Sequence, residues 1–283
     1  MPAAARAPTA THDRIRRSRG AANPRFLHGT RLSGAVWAAQ RSDLGQRYRV
    51  VTPDLHGHGS RAAEPFTLEA ASDAIIATLE AELRLAGVPA VVIGLSLGGY
   101  VAMDVAARRP DLVGGLVLAG ASAEPSRLSW PIRLLERILS SGGEAIQERA
   151  NAWFFRRRYG PEIAGPVING GFWPAGGVQA LRAIRAERFG PRLASYPGPV
   201  LIVNGAWDPI FRAGARSFAG AAARRPHRVR LARASHLSNM DQLATFDAAI
   251  ERFVAGLVSP APDPSRPAEP GPGGRLTRSL GAP

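Results

Sequence analysis

The sequence predicts an α/β protein with a mostly parallel β-sheet that is covered by helices on both faces. Short, wholly apolar runs alternate along the chain with segments in which apolar residues recur at helical spacing. A run without polar residues is typical of a parallel strand that is buried on both faces. The chain has 283 residues, of which 45% are hydrophobic, so it is long enough to bury such a sheet.

The individual elements follow from these patterns. Apolar runs predict strands at residues 26–27, 49–54, 91–95, 115–119, 199–205 and 229–232. Helical spacing predicts helices at residues 67–86, 100–109 and 241–257. Pro24 and Arg25 interrupt the first strand, because a proline inside a core strand removes a ladder hydrogen bond.

Residues 122–196 break the alternation, since they show helical patterns and no convincing strand. They also hold nine of the 19 aromatic residues of the chain. A helical insertion between two core strands predicts a cap over the carboxyl edge of the sheet, where open α/β sheets carry their active sites. The predicted core is therefore residues 25–121 and 197–258. Polar or Pro- and Gly-rich composition predicts disordered ends at 1–24 and 259–283.

Composition excludes several classes of function. The chain has no cysteine, so it has no disulfide, thiolate metal site or cysteine nucleophile. The net charge of +14 comes from scattered arginines without any lysine, which indicates coding bias, and we expect no nucleic-acid partner. No apolar run has the length of a membrane span and no secretory signal pattern is present, so a soluble cytoplasmic protein is expected.

A Gly-x-Ser-x-Gly pattern at residues 94–98 lies between a predicted strand and a predicted helix. The chain must turn sharply there, and Gly94 and Gly98 lack the Cβ that would keep the two backbones apart. Ser96 is then expected at an exposed tip, at a helix N-terminus whose free N–H groups favour an oxyanion. This arrangement predicts a nucleophile elbow with Ser96 as the nucleophile. The alternative is a glycine-rich turn in which the serine only caps the helix.

A serine nucleophile needs a base, and the chain offers six histidines. His236 follows the last predicted strand, so it should emerge at the same edge of the sheet as Ser96, and we predict that it is the base. His28 is expected to brace its own loop. His56 and His58 have a spacing that suits a metal pair, but no carboxylate or cysteine cluster accompanies them, so no metal site is predicted.

The base in turn needs an acid from another strand end. Asp208 lies in the loop after the strong strand at 199–205, and we predict that it is this acid. Its alternative role is to stabilise its own loop in an Asx turn. Glu124, just past the preceding core strand, is the reserve candidate.

The chain order serine, acid, histidine resembles that of the α/β-hydrolase family. The resemblance covers residues 26–257 and rests on five motifs: His28-Gly29, the loop at 54–60, the elbow, and the loops that carry Asp208 and His236. It implies a catalytic triad of Ser96, Asp208 and His236. It also implies an oxyanion hole formed by the N–H groups of Leu97 and Thr30. The family normally has strands before the His-Gly turn, and residues 1–25 supply none, so we expect truncated N-terminal strands.

The expected function is hydrolysis of an ester or related acyl bond of a small molecule, through an acyl-enzyme and without a metal or organic cofactor. Three other activities of the family stay open: a carbon–carbon bond hydrolase, an acyltransferase and a haloperoxidase-like enzyme. A catalytically impaired, binding-only relative is a further alternative. The oligomeric state is left open.

Overall fold

The structure is a computed structural model that describes residues 23–141 and 143–258. In this part of the chain, five strands form one parallel sheet in the order β1-β2-β3-β4-β5. The strands are β1 Pro24–Leu27, β2 Ala90–Leu95, β3 Val113–Ala119, β4 Val200–Gly205 and β5 His227–Leu231. The predicted parallel sheet is confirmed. Residues 1–22 and 259–283, which belong to the ends predicted to be disordered, lie outside the described residues.

Helices cover both faces of this sheet. They are α1 Ala38–Leu44, α2 Leu68–Ala86, α3 Leu97–Arg108, α4 Ser129–Ser141, α5 Glu144–Asn169, α6 Pro174–Arg185, α7 Gly190–Ser195, α8 Pro209–Ala221, α9 Ser238–Asp241 and α10 Leu243–Val258. One apolar core packs α2, α3, α7 and α8 against the sheet, and a second packs α1, α5, α9 and α10 against the opposite face. The side chains of each strand alternate between the two cores, so Val91 and Val92 belong to different ones.

The front edge of the sheet differs from the prediction in two respects. Strand β1 begins at Pro24, which takes the first position of the strand, where its missing N–H breaks no ladder bond. Arg25 is buried in β1 and forms an ion pair with Glu82 of α2, so neither residue interrupts the strand. The strand predicted at 49–54 was wrong, because only Val51 forms an isolated bridge with Arg25.

Between β3 and β4 the described residues form helices and no strand. Helix α5 is kinked at Gly160, where φ is 71° and ψ is 172°, directly before Pro161. Helix α7 lies against α3, where Phe189 contacts the Tyr100 ring, so it belongs to the layer that covers the sheet. Residues of α4, α5 and α6 also line a cavity at the carboxyl edge of the sheet.

Candidate active site

Ser96 lies at the turn between β2 and α3 with a backbone conformation that is rare for a residue with a side chain. Its φ is 52° and its ψ is −114°. Its N–H donates to the carbonyl of Ala119, at the carboxyl end of β3, over 2.8 Å. The predicted sharp turn is therefore present, and it is fixed to the carboxyl edge of the sheet. Helix α3 begins at Leu97, three residues earlier than predicted, because the elbow residues already belong to it.

The two glycines of the elbow are required by close backbone contacts. A Cβ on Gly94 would lie 2.3 Å from the carbonyl carbon of Gly98. A Cβ on Gly98 would lie 2.2 Å from the carbonyl oxygen of Leu27 in β1. Helix α3 thus begins in direct contact with β1 and β2. These contacts fix the position of Ser96, which joins β2 to α3.

His236 and Asp208 are hydrogen-bonded to each other at the same edge. Nδ1 of His236 lies 2.9 Å from Oδ2 of Asp208, and Oδ1 of Asp208 accepts the N–H of Phe211 over 3.1 Å. Burial by itself would raise the pKa of Asp208, but the hydrogen bond and charge of His236 and the backbone N–H groups outweigh it, so the pKa lies below its usual value. An ionised Asp208 can only accept, so Nδ1 of His236 donates to it, and in the neutral tautomer with this proton Nε2 is an acceptor.

Two residues that the sequence analysis did not single out position the imidazole of His236. The ring of Phe211 stacks on it with centroids 5.0 Å apart and an interplanar angle of 22°. Gly120, which follows β3 with a φ of 55°, lies under the imidazole, since a Cβ there would come within 2.9 Å of Cε1 and Nδ1. The contact of Gly120 with His236 could have been suspected from the sequence, because Gly120 directly follows a predicted core strand.

Ser96, Asp208 and His236 all line one cavity of about 660 Å³. Its walls are mostly apolar side chains of the inserted segment, of the loop after β4 and of the start of α8, which include Leu128, Ile132, Leu135, Phe154, Phe155, Leu181, Ile184, Trp207, Ile210 and Phe211. Within the described residues no hydrogen bond joins the Ser96 hydroxyl to His236. The three predicted residues therefore lie at one cavity, and two of them, Asp208 and His236, are hydrogen-bonded to each other.

The two predicted oxyanion donors are also at this cavity. Thr30 lines it, and the adjacent Gly29 lies against Ser96, since a Cβ on Gly29 would be 3.6 Å from the Cβ of Ser96. Leu97 is the first residue of α3. The N–H groups of Thr30 and Leu97 have no hydrogen-bond partner among the residues that the structure describes. Free N–H groups at a helix N-terminus attract negative charge.

His28, His56 and His58 have structural partners among the described residues. Nδ1 of His28 donates to the carbonyl of Gly29 and Nε2 accepts the N–H of Leu55, each over 2.9 Å, so His28 braces its loop as predicted. Burial, with the nearby charge of His58, lowers the pKa of His28 to about 3, so its imidazole is neutral at neutral pH. Across residues 23–141 and 143–258, no group of three His, Cys, Asp or Glu side chains could hold a metal ion.

Glu124, the reserve acid, is engaged elsewhere. Its two carboxylate oxygens accept the N–H groups of Phe189 and Gly190, over 3.0 and 2.6 Å, at the start of α7. Asp54 has a comparable structural position, since its carboxylate accepts the N–H groups of Gly34 and Ser60. Of the predicted acids, Asp208 is thus the one in contact with His236.

An ion pair links helix α5 to the loop that carries His236. Arg158 donates to Oδ1 of Asp241 over 2.7 Å, and Oδ2 of Asp241 accepts both the N–H and the hydroxyl of Ser235 over 2.6 Å. Arg158 and Ser235 both line the cavity. No pattern in the sequence predicts this link, because the partners lie 83 positions apart and belong to no motif.

The fold and the strained serine turn define an α/β protein whose candidate site lies at the carboxyl ends of parallel strands. The model of the Alpha/beta hydrolase family matches residues 26–254, which is most of the chain. The protein therefore belongs to the alpha/beta hydrolase family, and the predicted resemblance and fold class are confirmed.

Individual relatives are similar to parts of the chain. The pimeloyl-[acyl-carrier protein] methyl ester esterase of Aromatoleum aromaticum is 43% identical over 115 residues, which are 38% of this chain and 43% of that protein. Lipase LipV of Mycobacterium tuberculosis is 40% identical over 100 residues, 35% of this chain and 37% of that protein. The chain thus spans about two fifths of the length of these curated relatives.

A solved structure is similar over a longer range. A thermophilic esterase from Thermogutta terrifontis aligns with a TM-score of 0.68 and 24% identity, over 85% of this chain and 92% of that one. At this identity the likeness shows the fold alone. In the described ranges no helix has both the length and the apolar character that crossing a membrane requires.

Proposed function

We propose that the protein is a serine hydrolase that cleaves an ester or related acyl bond of a small molecule through an acyl-enzyme. The observation that carries this proposal is the hydrogen bond between Asp208 and His236 at the cavity that Ser96 lines. The similar sequence of the Aromatoleum aromaticum protein, which is named as a methyl ester esterase, supports an ester bond as the target.

In the proposed mechanism, the Ser96 hydroxyl attacks the substrate carbonyl while Nε2 of His236 takes its proton. Asp208 keeps the imidazole in the required tautomer and stabilises its positive charge. His236 then gives the proton to the departing alcohol and activates a water that releases the acid. The contact between Ser96 and His236 forms with substrate in place, as catalytic hydrogen bonds often do.

The N–H groups of Leu97 and Thr30 serve as the oxyanion hole in this mechanism. Each such donor contributes roughly 3–4 kcal/mol to transition-state stabilisation. Because their N–H groups have no partner in the described chain, both are free to bind a developing oxyanion. The reaction needs no metal and no organic cofactor.

We further propose that the insertion at residues 122–196 forms a cap through helices α4 to α6, which shape the acyl pocket, while its last helix α7 covers the sheet. The mostly apolar walls suit an acyl chain, and each buried methylene is worth about 0.8 kcal/mol, or roughly a fourfold gain in kcat/KM. We therefore expect kcat/KM to rise with chain length until the cavity is filled.

The test is a series of 4-nitrophenyl esters from acetate to laurate, measured on the wild type, Ser96→Ala and Ser235→Ala. Ser235 is the matched control, because it is a serine that lines the same cavity. The proposal expects Ser96→Ala to lose at least about 10⁴-fold in kcat/KM, while Ser235→Ala stays within about tenfold. Equal activity of Ser96→Ala and the wild type would contradict it.

A further inference from the structure

Arg31 is a cation in the wall of the cavity, next to the proposed oxyanion donor Thr30. Its guanidinium makes one side-chain hydrogen bond in the described chain, from Nη1 to Oδ1 of Asn151 over 2.7 Å. A guanidinium has five N–H donors, so most of its donors are left without a protein partner there. No carboxylate of the described residues forms an ion pair with it.

Other arginines in comparable positions are neutralised. Arg25 pairs with Glu82, and Arg192 pairs with Asp104 over 2.8 Å. Arg158 lines the same cavity as Arg31 but pairs with Asp241 over 2.7 Å. Arg31 is thus the arginine in the cavity wall whose charge the described protein leaves uncompensated, and a partly buried charge is costly unless a partner meets it.

The backbone of Arg31 is held in an uncommon conformation. Its φ is 55°, in the left-handed region, where few residues with side chains are found. Its N–H donates to Nε2 of His58 over 3.0 Å, and its carbonyl accepts the N–H of Trp173 over 2.9 Å. Burial lowers the pKa of His58, so this imidazole stays neutral and can accept. Strained residues that are fixed in this way cluster at ligand sites.

We propose that Arg31 binds an ionised carboxylate of the substrate, so that the preferred substrates are esters that carry a second, free carboxylate. The inference rests on the proposed function for the bond that is cleaved. A carboxylate accepts two parallel N–H bonds from a guanidinium, which are the donors that Arg31 has unused. Burial lowers the pKa of Arg31, but an arginine stays charged at neutral pH and is poorly screened in the apolar cavity.

The first test compares 4-nitrophenyl hydrogen adipate with its neutral methyl ester, 4-nitrophenyl methyl adipate. The ratio of their kcat/KM values is measured for the wild type, Arg31→Gln, Arg31→Lys and Arg216→Gln. Arg216 is an exposed residue of α8 outside the cavity wall, so its variant controls for the change in net charge. A second pair, 4-acetoxybenzoate and methyl 4-acetoxybenzoate, places the carboxylate on the alcohol side.

In at least one pair, we expect the wild type to prefer the anionic ester by about 10- to 100-fold. Arg31→Gln should lose this preference, because its kcat/KM should fall more on the anionic ester than on the neutral one. Arg31→Lys should keep part of it, and Arg216→Gln should keep all of it. The pair that responds shows whether the carboxylate belongs to the acyl or to the alcohol part. Equal losses on charged and neutral esters, or no preference in either pair, would overturn the inference and leave the proposed hydrolase function standing.

Binding provides a test that does not depend on turnover. Calorimetry on Ser96→Ala with adipate and hexanoate should show at least tenfold tighter binding of adipate, and Ser96→Ala/Arg31→Gln should lose that difference. If the wild type hydrolyses none of the esters, the proposed function fails and this binding comparison alone decides the role of Arg31. Equal or undetectable binding of the two acids would overturn it.

Discussion

The cavity has two sides that are held in place by different means. On the sheet side, the loops after β2 and β4 are fixed by backbone bonds: the N–H of Ser96 donates to the carbonyl of Ala119 and the N–H of Trp207 to that of Ala234, each over 2.8 Å. On the helical side, large apolar residues remain open to solvent: Trp130 is 73% exposed and Trp153 is 67% exposed. The difference shows that backbone bonds fix the proposed catalytic groups, whereas the helices that are proposed to select the substrate leave large apolar side chains exposed.

The largest effect is expected on the sheet side from Asp208→Asn. The substitution removes the charge that sets the tautomer of His236, so kcat/KM should fall by about 10³- to 10⁴-fold. The matched variant is Glu124→Gln, which changes the reserve acid that binds the start of α7. Ester hydrolysis by both variants is the measurement. A larger loss of kcat/KM in Glu124→Gln than in Asp208→Asn would contradict this prediction and indicate that Glu124 is the acid of the triad.

A smaller loss is expected from Gly120→Ala, which places a methyl group against His236. The new Cβ would lie 2.9 Å from two ring atoms, so the imidazole must shift, and we expect kcat to fall by about 10- to 100-fold. Gly87→Ala is the control, because Gly87 also has a positive φ, of 72°, but a Cβ there meets nothing within 4 Å. Similar activity of the two variants would show that the contact with His236 is unimportant.

A buried hydrogen-bond network joins the helices next to the His236 loop, and it leads to a prediction on stability. Gln40 donates to Asp247 over 3.1 Å and to the carbonyl of Asn239 over 3.0 Å, which joins α1, α10 and α9. Burial, with the nearby charges of Asp43 and Glu251, raises the pKa of Asp247 to about 7, whereas it is about 3.9 in an unfolded chain. The folded state therefore holds this proton, and the stability it contributes is full below about pH 4 and is lost as the pH rises through 7.

Asp247→Asn removes this dependence. Between pH 5 and pH 8, the free energy of unfolding of the wild type should fall by about 2–3 kcal/mol more than that of the variant. Urea denaturation of both proteins at both pH values measures this difference. Asp73→Asn, whose side chain is 55% exposed and whose charge does not act on Asp247, should change that difference little. The same pH dependence in Asp247→Asn and the wild type would refute the buried, protonated carboxyl.

The smallest effect is expected where the helical side is attached, in Arg158→Gln. The pair with Asp241 has one partly exposed partner, since the Arg158 side chain is 35% exposed, so its loss should cost up to about 1 kcal/mol, or two- to fivefold in KM. Arg156→Gln changes an exposed residue on the same helix and should leave KM unchanged. An equal effect of both variants would remove Arg158 from the link between α5 and the His236 loop.

The sheet and the elbow could be predicted because each depends on a local pattern. Apolar runs define β2, β3 and β4, and Gly-x-Ser-x-Gly after β2 defines the turn at Ser96. Asp208 and His236 could be placed at the same edge because both follow parallel strands, although their roles remain predictions. The strand at 49–54 failed because its apolar run is only Val50 and Val51, and pairing depends on which neighbour the fold supplies.

The contacts that shape the site could not be predicted, because they join residues that are distant in the chain or that have no motif. Phe211 stacks on His236 from 25 positions away, a contact that requires the start of α8 to meet the loop after β5. Nothing in the sequence distinguishes Arg31 among the 36 basic residues of the chain. Only the structure shows that it lies in the cavity wall without an acidic partner among the described residues. Local patterns therefore predicted candidate chemistry, whereas packing supplied the residues that orient it.

The central claim is that Ser96 is a nucleophile activated by the pair of Asp208 and His236. Its most direct test is treatment with a fluorophosphonate, followed by peptide mass mapping of the wild type, Ser96→Ala and Asp208→Asn. We expect one label per wild-type chain on Ser96, none on Ser96→Ala and much slower labelling of Asp208→Asn. A wild-type chain that stays unlabelled, or a label that persists in Ser96→Ala, would contradict the account.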